Sequence, residues 1–166
     1  IGLRFFTVYG PWGRPDMALF KFTKNILKDK EIDVYNNGNH SRDFTYVDDI
    51  VEGIYLSSIS KKELIDPNFD SMDPSRSFCK SIIFNLGRGK PENLEDFIDE
   101  IENNLGKTAK RNLMPLQPGD VPDTSADITS LKDFSGYEPK TSIKIGVKNF
   151  IDWYKEYYKV NLWKKF

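Results

Sequence analysis

The chain has 166 residues, of which 39% are hydrophobic and 30% charged, and its formal net charge is −1 at pH 7. That length suffices for one domain with a substantial core, and the composition is typical of a globular protein. The near-neutral charge and the absence of any Lys/Arg run longer than two argue against a nucleic-acid-binding surface. No apolar stretch approaches the ~18 residues of a membrane span, and no signal peptide is evident, so we expect a cytoplasmic protein without membrane or nucleic-acid partners.

Cysteine and histidine each occur once, at Cys79 and His40. A single cysteine permits no internal disulfide and fits a reducing compartment, and the separation in sequence argues against a catalytic thiol–imidazole pair. We predict no metal site. The chain opens with Ile1, directly in an apolar strand, which suggests a piece of a longer protein.

The first predicted strand ends at Gly10, where Gly and Pro residues begin a loop that leads into a helix. Strands that end in polar loops are where α/β proteins place their ligands. Arg14 in this loop offers a planar fork of donors for a carboxylate or phosphate, and Thr7 offers a hydroxyl at the end of the strand. The residue chemistry equally permits an ordinary connection with a solvated arginine.

Hydrophobic spacing and the punctuation by Gly, Pro and Asn predict the next elements. These are a helix over 17–28 capped by Asp16, a strand over 31–36, a turn at 36–39, a strand over 41–46 and a helix over 47–58. In the helix over 47–58, helical spacing predicts a buried face that consists of Val47, Ile50, Val51, Ile54, Tyr55 and Ser58. Asp48 and Asp49 fall in its first turn, where the helix dipole favours a capping role over catalysis.

The second half of the chain opens with a long polar loop over 61–80. A strand over 81–86, a helix over 93–105, a strand over 110–114, a loop over 115–124, a helix over 127–134, a helix over 142–158 and an aromatic tail after 160 follow. Asn93, Asp127 and Ser142 are the predicted caps of the three helices. Short strands with covering helices predict a mixed α/β fold, with too few strands for a complete doubly wound sheet.

Gly87-Arg88-Gly89 follows a strand and precedes a helix, as a dinucleotide-binding turn does. Such a turn needs small residues that let the backbone approach a pyrophosphate at the helix N-terminus. Glu92 stands where the third glycine belongs. We therefore interpret the stretch as a turn that ends the strand.

Four stretches together carry a family resemblance: Leu3–Met17, Arg42–Ile50, Asn85–Gly87 and Gln117–Pro122. They resemble the nucleotide-sugar branch of the extended short-chain dehydrogenase/reductase family, and within it the UDP-glucuronate 4-epimerases. The match covers almost the whole chain but only the C-terminal part of such an enzyme. It implies an incomplete Rossmann fold, in which residues 1–166 are the C-terminal nucleotide-sugar-binding domain and residues 1–15 end a missing NAD-binding domain.

The resemblance also implies a cofactor, NAD, bound upstream of Ile1. The family's base is a tyrosine with a lysine four positions later, and none of the eight tyrosines here is followed in that way. No catalytic residue is assigned, and we expect this chain alone to be inactive. The full-length enzyme is expected to be a homodimer, and the exposed strand at Leu3–Phe6 is expected to make the isolated piece self-associate.

The resemblance further implies where a UDP-sugar binds. Val34 and Tyr35 offer a strand edge and an aromatic ring for the uracil, and Arg42 offers a guanidinium for the diphosphate. Asp120 offers an acceptor for the ribose hydroxyls, and Gln117 stands where related galactose epimerases carry a second arginine. A strand residue at Tyr35 and a simple Pro/Gly turn at 117–120 stay open as structural alternatives.

Thr7 and Arg14 match the residues that hold the sugar carboxylate in glucuronate epimerases, whereas galactose epimerases carry Asn at the position of Thr7. The predicted function is therefore UDP-sugar binding in an NAD-dependent 4-epimerase that interconverts UDP-glucuronate and UDP-galacturonate, for capsule or lipopolysaccharide synthesis. A related nucleotide-sugar dehydratase or decarboxylase, and a non-catalytic sugar-nucleotide-binding module, are the alternatives.

Overall fold

The computed structural model describes residues 1–64, 73–75 and 81–160. The strands are β1 (Gly2–Phe5), β2 (Thr7–Tyr9), β3 (Glu31–Val34), β4 (Ser41–Arg42), β5 (Phe44–Tyr46), β6 (Ile83–Leu86), β7 (Glu92–Asn93) and β8 (Lys110–Leu113). The helices are α1 (Ala18–Leu27), α2 (Val47–Ile59), α3 (Leu94–Leu105), α4 (Thr129–Ser135) and α5 (Ile143–Tyr157), and a 3-10 turn covers Tyr35–Gly38. Most of the loop predicted over 61–80, and the tail after 160, lie outside the described residues.

The described strands form short pairs beside the helices. β1 pairs with β6, β2 with β5 and β3 with β8, all in parallel, whereas β4 and β7 pair antiparallel. Parallel neighbours need crossover connections, which the intervening helices supply. The predicted mixed α/β class is thereby confirmed. Because β1 and β2 pair with strands of this chain, residues 1–15 fold together with the rest, and their assignment to an NAD-binding domain stays a prediction.

Two apolar clusters lie between the helices and the strands. The larger brings α1, α3 and α5 onto β2, β3 and β5, around the stacked rings of Phe44 and Phe97, whose centroids are 4.0 Å apart. Edge-on contacts from Tyr9, at 6.3 and 5.5 Å, complete an aromatic arrangement that is worth more than its buried area alone. The smaller cluster packs α2 and α4 on β6 around Leu86 and Tyr137.

Asp43 interrupts the strand predicted over 41–46 and divides it into β4 and β5. Its side chain is fully buried. Its carboxylate accepts hydrogen bonds from the Arg88 and Gly89 amides at 2.7 and 2.9 Å, the Ala126 amide at 2.9 Å and the Thr45 hydroxyl at 3.0 Å. A buried carboxylate is tolerated when its lone pairs are satisfied in this way. Asp43 therefore joins three segments that are distant in sequence.

The buried face predicted for α2 is only partly correct: Ile50 is buried and Val47 packs against the larger cluster, but Ser58 is exposed. Val51, Ile54 and Tyr55 are 57%, 41% and 60% exposed, and the helix turns the side that carries Gly53 inward. A Cβ on Gly53 would lie 2.5 Å from a methyl group of Leu86, so a larger residue at this position would force the buried Leu86 side chain to shift. The close packing of α2 on β6 thus decides which face of the helix is buried.

The predicted acidic residues at two helix starts bond elsewhere. Asp16 makes no cap bond to α1, because its carboxylate pairs with Arg14. Asp49 lies in the first turn of α2 as predicted, but its carboxylate accepts from the amides of residues 140 and 141 at 3.3 and 3.0 Å. Ser142 caps α5 as predicted, accepting from the amide three residues later.

We expect Asp43→Asn to lower the free energy of unfolding by about 3 kcal/mol, because the new amide group would leave buried backbone donors without an acceptor. Urea unfolding followed by circular dichroism measures the change. Asp48→Asn is the matched control, since Asp48 is exposed in the first turn of α2 and should lose less than about 1 kcal/mol. Equal losses in the two variants would contradict the role given to Asp43.

The outer face of α2, defined by Val51, Ile54, Tyr55 and Ile59, is apolar and exposed. We expect the isolated chain to self-associate at high concentration through such apolar surface, and Tyr55→Lys to shift it toward monomer. Sedimentation velocity at several concentrations measures this shift. Asn103→Lys, at an exposed position on α3, is the control and should leave association unchanged; a strictly monomeric unmodified chain would refute the expectation.

Candidate functional site

Four of the predicted site residues line one cavity of about 250 Å³. They are Thr7, Tyr35, Arg42 and Asp120, which come from separate parts of the sequence and meet only in the folded chain. We name this space the Arg42 cavity. Its wall also includes His40, Asp33, Phe22 and Phe44.

Arg42 is held in place at the wall of the Arg42 cavity. Its side chain is 18% exposed, and its guanidinium donates to the carbonyls of Pro122 and Ser41 at 2.6 and 3.1 Å and to Asp120 Oδ1 at 2.9 Å. Backbone bonds tie the same loop to β4, since Ser41 donates to the Pro122 carbonyl and accepts from the Thr124 amide. The guanidinium is therefore ordered before a ligand binds, which lowers the entropy lost on binding.

The predicted base-binding segment is divided between the cavity and the core. Tyr35 is half-buried and borders the Arg42 cavity, at the start of a turn in which Asn36 and Asn37 take φ values of +51°. Val34 is fully buried, and its carbonyl accepts from the Met114 amide at 3.0 Å. Because this acceptor is used within the protein, Tyr35 is the part of the segment that lines the cavity, and a base contact from Val34 stays a prediction.

Gln117 and Asp120 share a turn, in which the Asp120 amide donates to the Gln117 carbonyl at 3.1 Å and Gly119 adopts a φ of +83°. Asp120 borders the Arg42 cavity. Gln117 is exposed and is not among the residues that line this cavity. The structure therefore brings Asp120, but not Gln117, to the other predicted residues.

A second, wider cavity of about 730 Å³ adjoins the first, since Thr7 and Met17 line both. Arg14 and Trp12 border this space, which we name the Arg14 cavity. Arg14 is exposed and donates to both carboxylate oxygens of Asp16, at 3.1 and 2.6 Å, and this contact lowers the pKa of Asp16. The guanidinium thus already binds a carboxylate in the two-pronged geometry that the pair favours.

The glycine turn after β6 is closed to a dinucleotide. The amides of Arg88 and Gly89, which a pyrophosphate would use, donate to Asp43 instead. A Cβ at Gly87 would lie 2.6 Å from the Cβ of Ala126, so the protein itself fills the space beside the turn. The described residues therefore do not fit the pyrophosphate of NAD at this turn, and we assign them no step through that cofactor.

Sequence reasoning missed two side chains that contact the predicted site residues. His40 lies beside Asp120, and Asp16 binds Arg14. A signal was present for His40, which precedes Arg42 by two residues, because residues two apart in extended backbone share a face. Asp16 follows Arg14 by two residues in a turn, where the pairing could not be predicted from strand alternation.

In the part of the chain that the structure describes, no helix combines the length and the apolar character that crossing a membrane requires. Among the same residues, no group of three or more His, Cys, Asp or Glu side chains is arranged to hold a metal ion. The helices cover strands, as α5 does by burying Val147 and Phe150 against the larger cluster.

Comparison with known proteins extends the resemblance. A sequence profile described as the NAD dependent epimerase/dehydratase family matches residues 1–65. The chain is 55% identical over 162 residues to Protein CapI of Staphylococcus aureus, a match that covers 95% of this chain and 48% of that protein. It is 45% identical over 162 residues to UDP-glucuronate 4-epimerase 2 of Arabidopsis thaliana, covering 95% of this chain and 36% of that protein. The chain thus spans half or less of the length of these curated relatives.

The fold is similar to that of solved epimerases. A UDP-glucuronic acid 4-epimerase from Bacillus cereus, in complex with UDP-glucuronic acid and NAD, matches with a TM-score of 0.79 and 32% identity, covering 94% of this chain and 45% of that chain. A UDP-glucose 4-epimerase from Thermotoga maritima matches with a TM-score of 0.75 and 25% identity, covering 94% and 46%. These similarities in sequence and fold confirm the resemblance to epimerases of the NAD dependent epimerase/dehydratase family, and the chain corresponds to about half of the length of such an enzyme.

Proposed function

We propose that this chain is the UDP-sugar-binding part of an NAD-dependent nucleotide-sugar 4-epimerase, which in its full length interconverts UDP-glucuronate and UDP-galacturonate. The observation that carries the proposal is the meeting of Thr7, Tyr35, Arg42 and Asp120 at one cavity that adjoins the Arg14 cavity. A UDP-uronate needs a surface for its base, acceptors for its hydroxyls, one cation for its diphosphate and another for its carboxylate. The two adjoining cavities present side chains of these kinds.

In this proposal Arg42 binds the diphosphate. Its Nη1 and Nη2 groups donate to protein acceptors, and its Nε makes no hydrogen bond to another described residue, so charged donors remain for phosphate oxygens. Tyr35 packs against the uracil ring, since base–aromatic contacts are worth ~1–3 kcal/mol. Asp120 accepts from the ribose hydroxyls at the same wall of the cavity.

Thr7 and Arg14 bind the uronate carboxylate in the adjoining space. Asp16 occupies the guanidinium fork in the empty protein, so the sugar carboxylate replaces Asp16 as the partner of Arg14. This exchange is accessible because ion pairs between exposed groups are weak. A neutral hexose offers no carboxylate to make the exchange, which would give the site its preference for a uronate.

NAD would supply reversible hydride transfer at C4 of the sugar. The glycine turn described above is closed, so we place the NAD site, with the catalytic tyrosine and lysine, in the part of a full-length protein that this chain does not contain. The role of this chain is to hold the nucleotide while the sugar reacts. We expect the chain alone to bind UDP-sugars without epimerising them, and the full-length protein to work as a cytoplasmic homodimer.

We expect Arg42→Ala to weaken UDP binding by at least about tenfold, because a charge-assisted contact to phosphate is worth ~1.5–3 kcal/mol. Isothermal titration calorimetry of the chain with UDP measures the change, and Arg42→Lys should recover only part of the affinity. Arg111→Ala is the matched control, since Arg111 pairs with Glu95, Asp99 and Glu102 and lines neither cavity. Equal effects of the two alanine variants, or no UDP binding by the unmodified chain, would refute the proposal.

We expect Arg14→Ala to weaken UDP-glucuronate binding about tenfold while leaving UDP-glucose binding unchanged, because only the uronate carries the carboxylate. Asp16→Asn should have the opposite effect on UDP-glucuronate, a gain of about three- to fivefold, because it removes the competing carboxylate from an exposed pair. Calorimetry with both ligands tests the two variants together. Arg14→Ala with unaltered preference for the uronate would rule out this subsite and leave the diphosphate site standing.

A further inference from the structure

His40 is the histidine of this chain, and it is buried where a polar ring needs partners. Its side chain is 5% exposed, and its Nδ1 lies 3.2 Å from the carbonyl oxygen of Pro122. A carbonyl only accepts, so the ring carries its proton on Nδ1 and donates it to this carbonyl. That contact fixes the ring plane and aims the second nitrogen, Nε2, at the Asp120 carboxylate.

Nε2 of His40 lies 3.5 Å from Asp120 Oδ2. Nε2 is buried and has no hydrogen-bond partner among the residues that the structure describes. With only Nδ1 protonated, the Nε2 lone pair would face a carboxylate that is itself an acceptor. A proton on Nε2 turns the same contact into a charge-assisted hydrogen bond, with each imidazole nitrogen donating to one acceptor.

Each oxygen of the Asp120 carboxylate therefore lies next to a different side chain. Oδ1 accepts from Arg42 at 2.9 Å and from the Val121 amide at 2.9 Å, and Oδ2 faces His40. Arg42 sets one edge of the carboxylate, and His40 is placed to set the other. Asp33 and Tyr35 also border this cavity, but they come from β3 and the turn that follows it, on a different segment.

We propose that His40 is a positioning residue that orients the Asp120 carboxylate toward the ribose hydroxyls of the bound nucleotide, by donating from Nε2 to Oδ2. The proposal rests on the proposed function, because it takes the ligand to be a uridine diphosphate. In this proposal His40 acts through Asp120, since its Nε2 is buried and faces that carboxylate. The ring also anchors the 117–122 loop through Pro122, so the test must separate orientation of Asp120 from anchoring of the loop.

Two neutral substitutions separate these contacts. In His40→Asn the amide nitrogen replaces Nδ1 and can still donate to Pro122, but nothing reaches Asp120. In His40→Gln the amide nitrogen replaces Nε2 and can donate to Asp120. Calorimetry of both variants with UDP and with 2′,3′-dideoxy-UDP, after thermal unfolding has shown matched stability, measures the two roles. Asp120→Ala and the His40→Asn/Asp120→Ala double variant complete the set.

We expect His40→Asn to weaken UDP binding about tenfold, as loss of a charge-assisted hydrogen bond would, and His40→Gln to stay within about threefold of the unmodified chain. Neither variant should alter affinity for 2′,3′-dideoxy-UDP, which lacks the hydroxyls. The double variant should bind no more weakly than Asp120→Ala alone, because both substitutions remove one interaction. Equal losses in Asn and Gln variants, or equal losses for both ligands, would overturn the positioning role and leave UDP binding itself intact.

A measurement on the unmodified chain keeps the inference testable if His40→Asn does not fold. His40 is the one histidine in the sequence, so its ring nitrogens give unique signals in long-range ¹H–¹⁵N spectra. With UDP bound, we expect Nε2 to report a hydrogen-bonded proton, as donation to Asp120 requires. An unprotonated Nε2 in the UDP complex would overturn the inference, and a chain that is folded but does not bind UDP would overturn both it and the proposed function.

Discussion

The buried carboxylate of Asp43 is the interaction on which the candidate site depends most. It accepts from the turn after β6, from the segment before α4 and from Thr45 in β5, so one side chain connects regions more than 40 residues apart. In a low-dielectric interior these hydrogen bonds are strong, and a buried polar group left without a hydrogen-bond partner destabilises the fold. Asp43 thereby fixes the junction of β4 and β5 and, with it, the position of Arg42 next to it.

Neighbouring residues in the segment 40–43 have different roles because alternate side chains in an extended backbone point to opposite sides. Asp43 points inward to backbone amides, whereas Arg42 and His40 border the cavity. The same alternation explains why a structural carboxylate and a candidate ligand-binding guanidinium can be neighbours without pairing. Asp43 does not line the Arg42 cavity, but its hydrogen bonds hold in place the segment that carries His40 and Arg42.

The two arginines of the proposed site are both paired with aspartates, but in different surroundings. Arg42 is 18% exposed and holds Asp120 together with two carbonyls, so its position is set by several partners at once. Arg14 and Asp16 are 77% and 57% exposed and form an isolated pair. Water weakens the second pair far more than the first. The structure therefore combines an ordered cation, to which we assign the diphosphate in the proposed function, with an exchangeable one, to which we assign the sugar carboxylate.

The order of strands and helices follows from local patterns that the sequence contains. Helical spacing predicted α3 and α5, the Gly/Asn turn after β3 was evident, and Ser142 caps α5 because a cap depends only on the next few residues. The resemblance supplied candidate residues for the Arg42 cavity; Thr7, Tyr35, Arg42 and Asp120 line it, whereas Val34 and Gln117 do not. The sequence also indicated correctly that a strand ends at the turn that begins with Gly87.

Tertiary structure decided what local patterns cannot contain. The buried side of α2 was predicted only in part: Ile50 faces inward as expected, but Val51, Ile54 and Tyr55 do not, because the contact of Gly53 with Leu86 sets the rotation of the helix. The partners of Asp43 and the approach of His40 to Asp120 lie some 40 to 80 residues away in the chain. Helical period and capping act over a few residues, whereas hydrogen bonds between distant segments exist only once the chain has folded and brought them together.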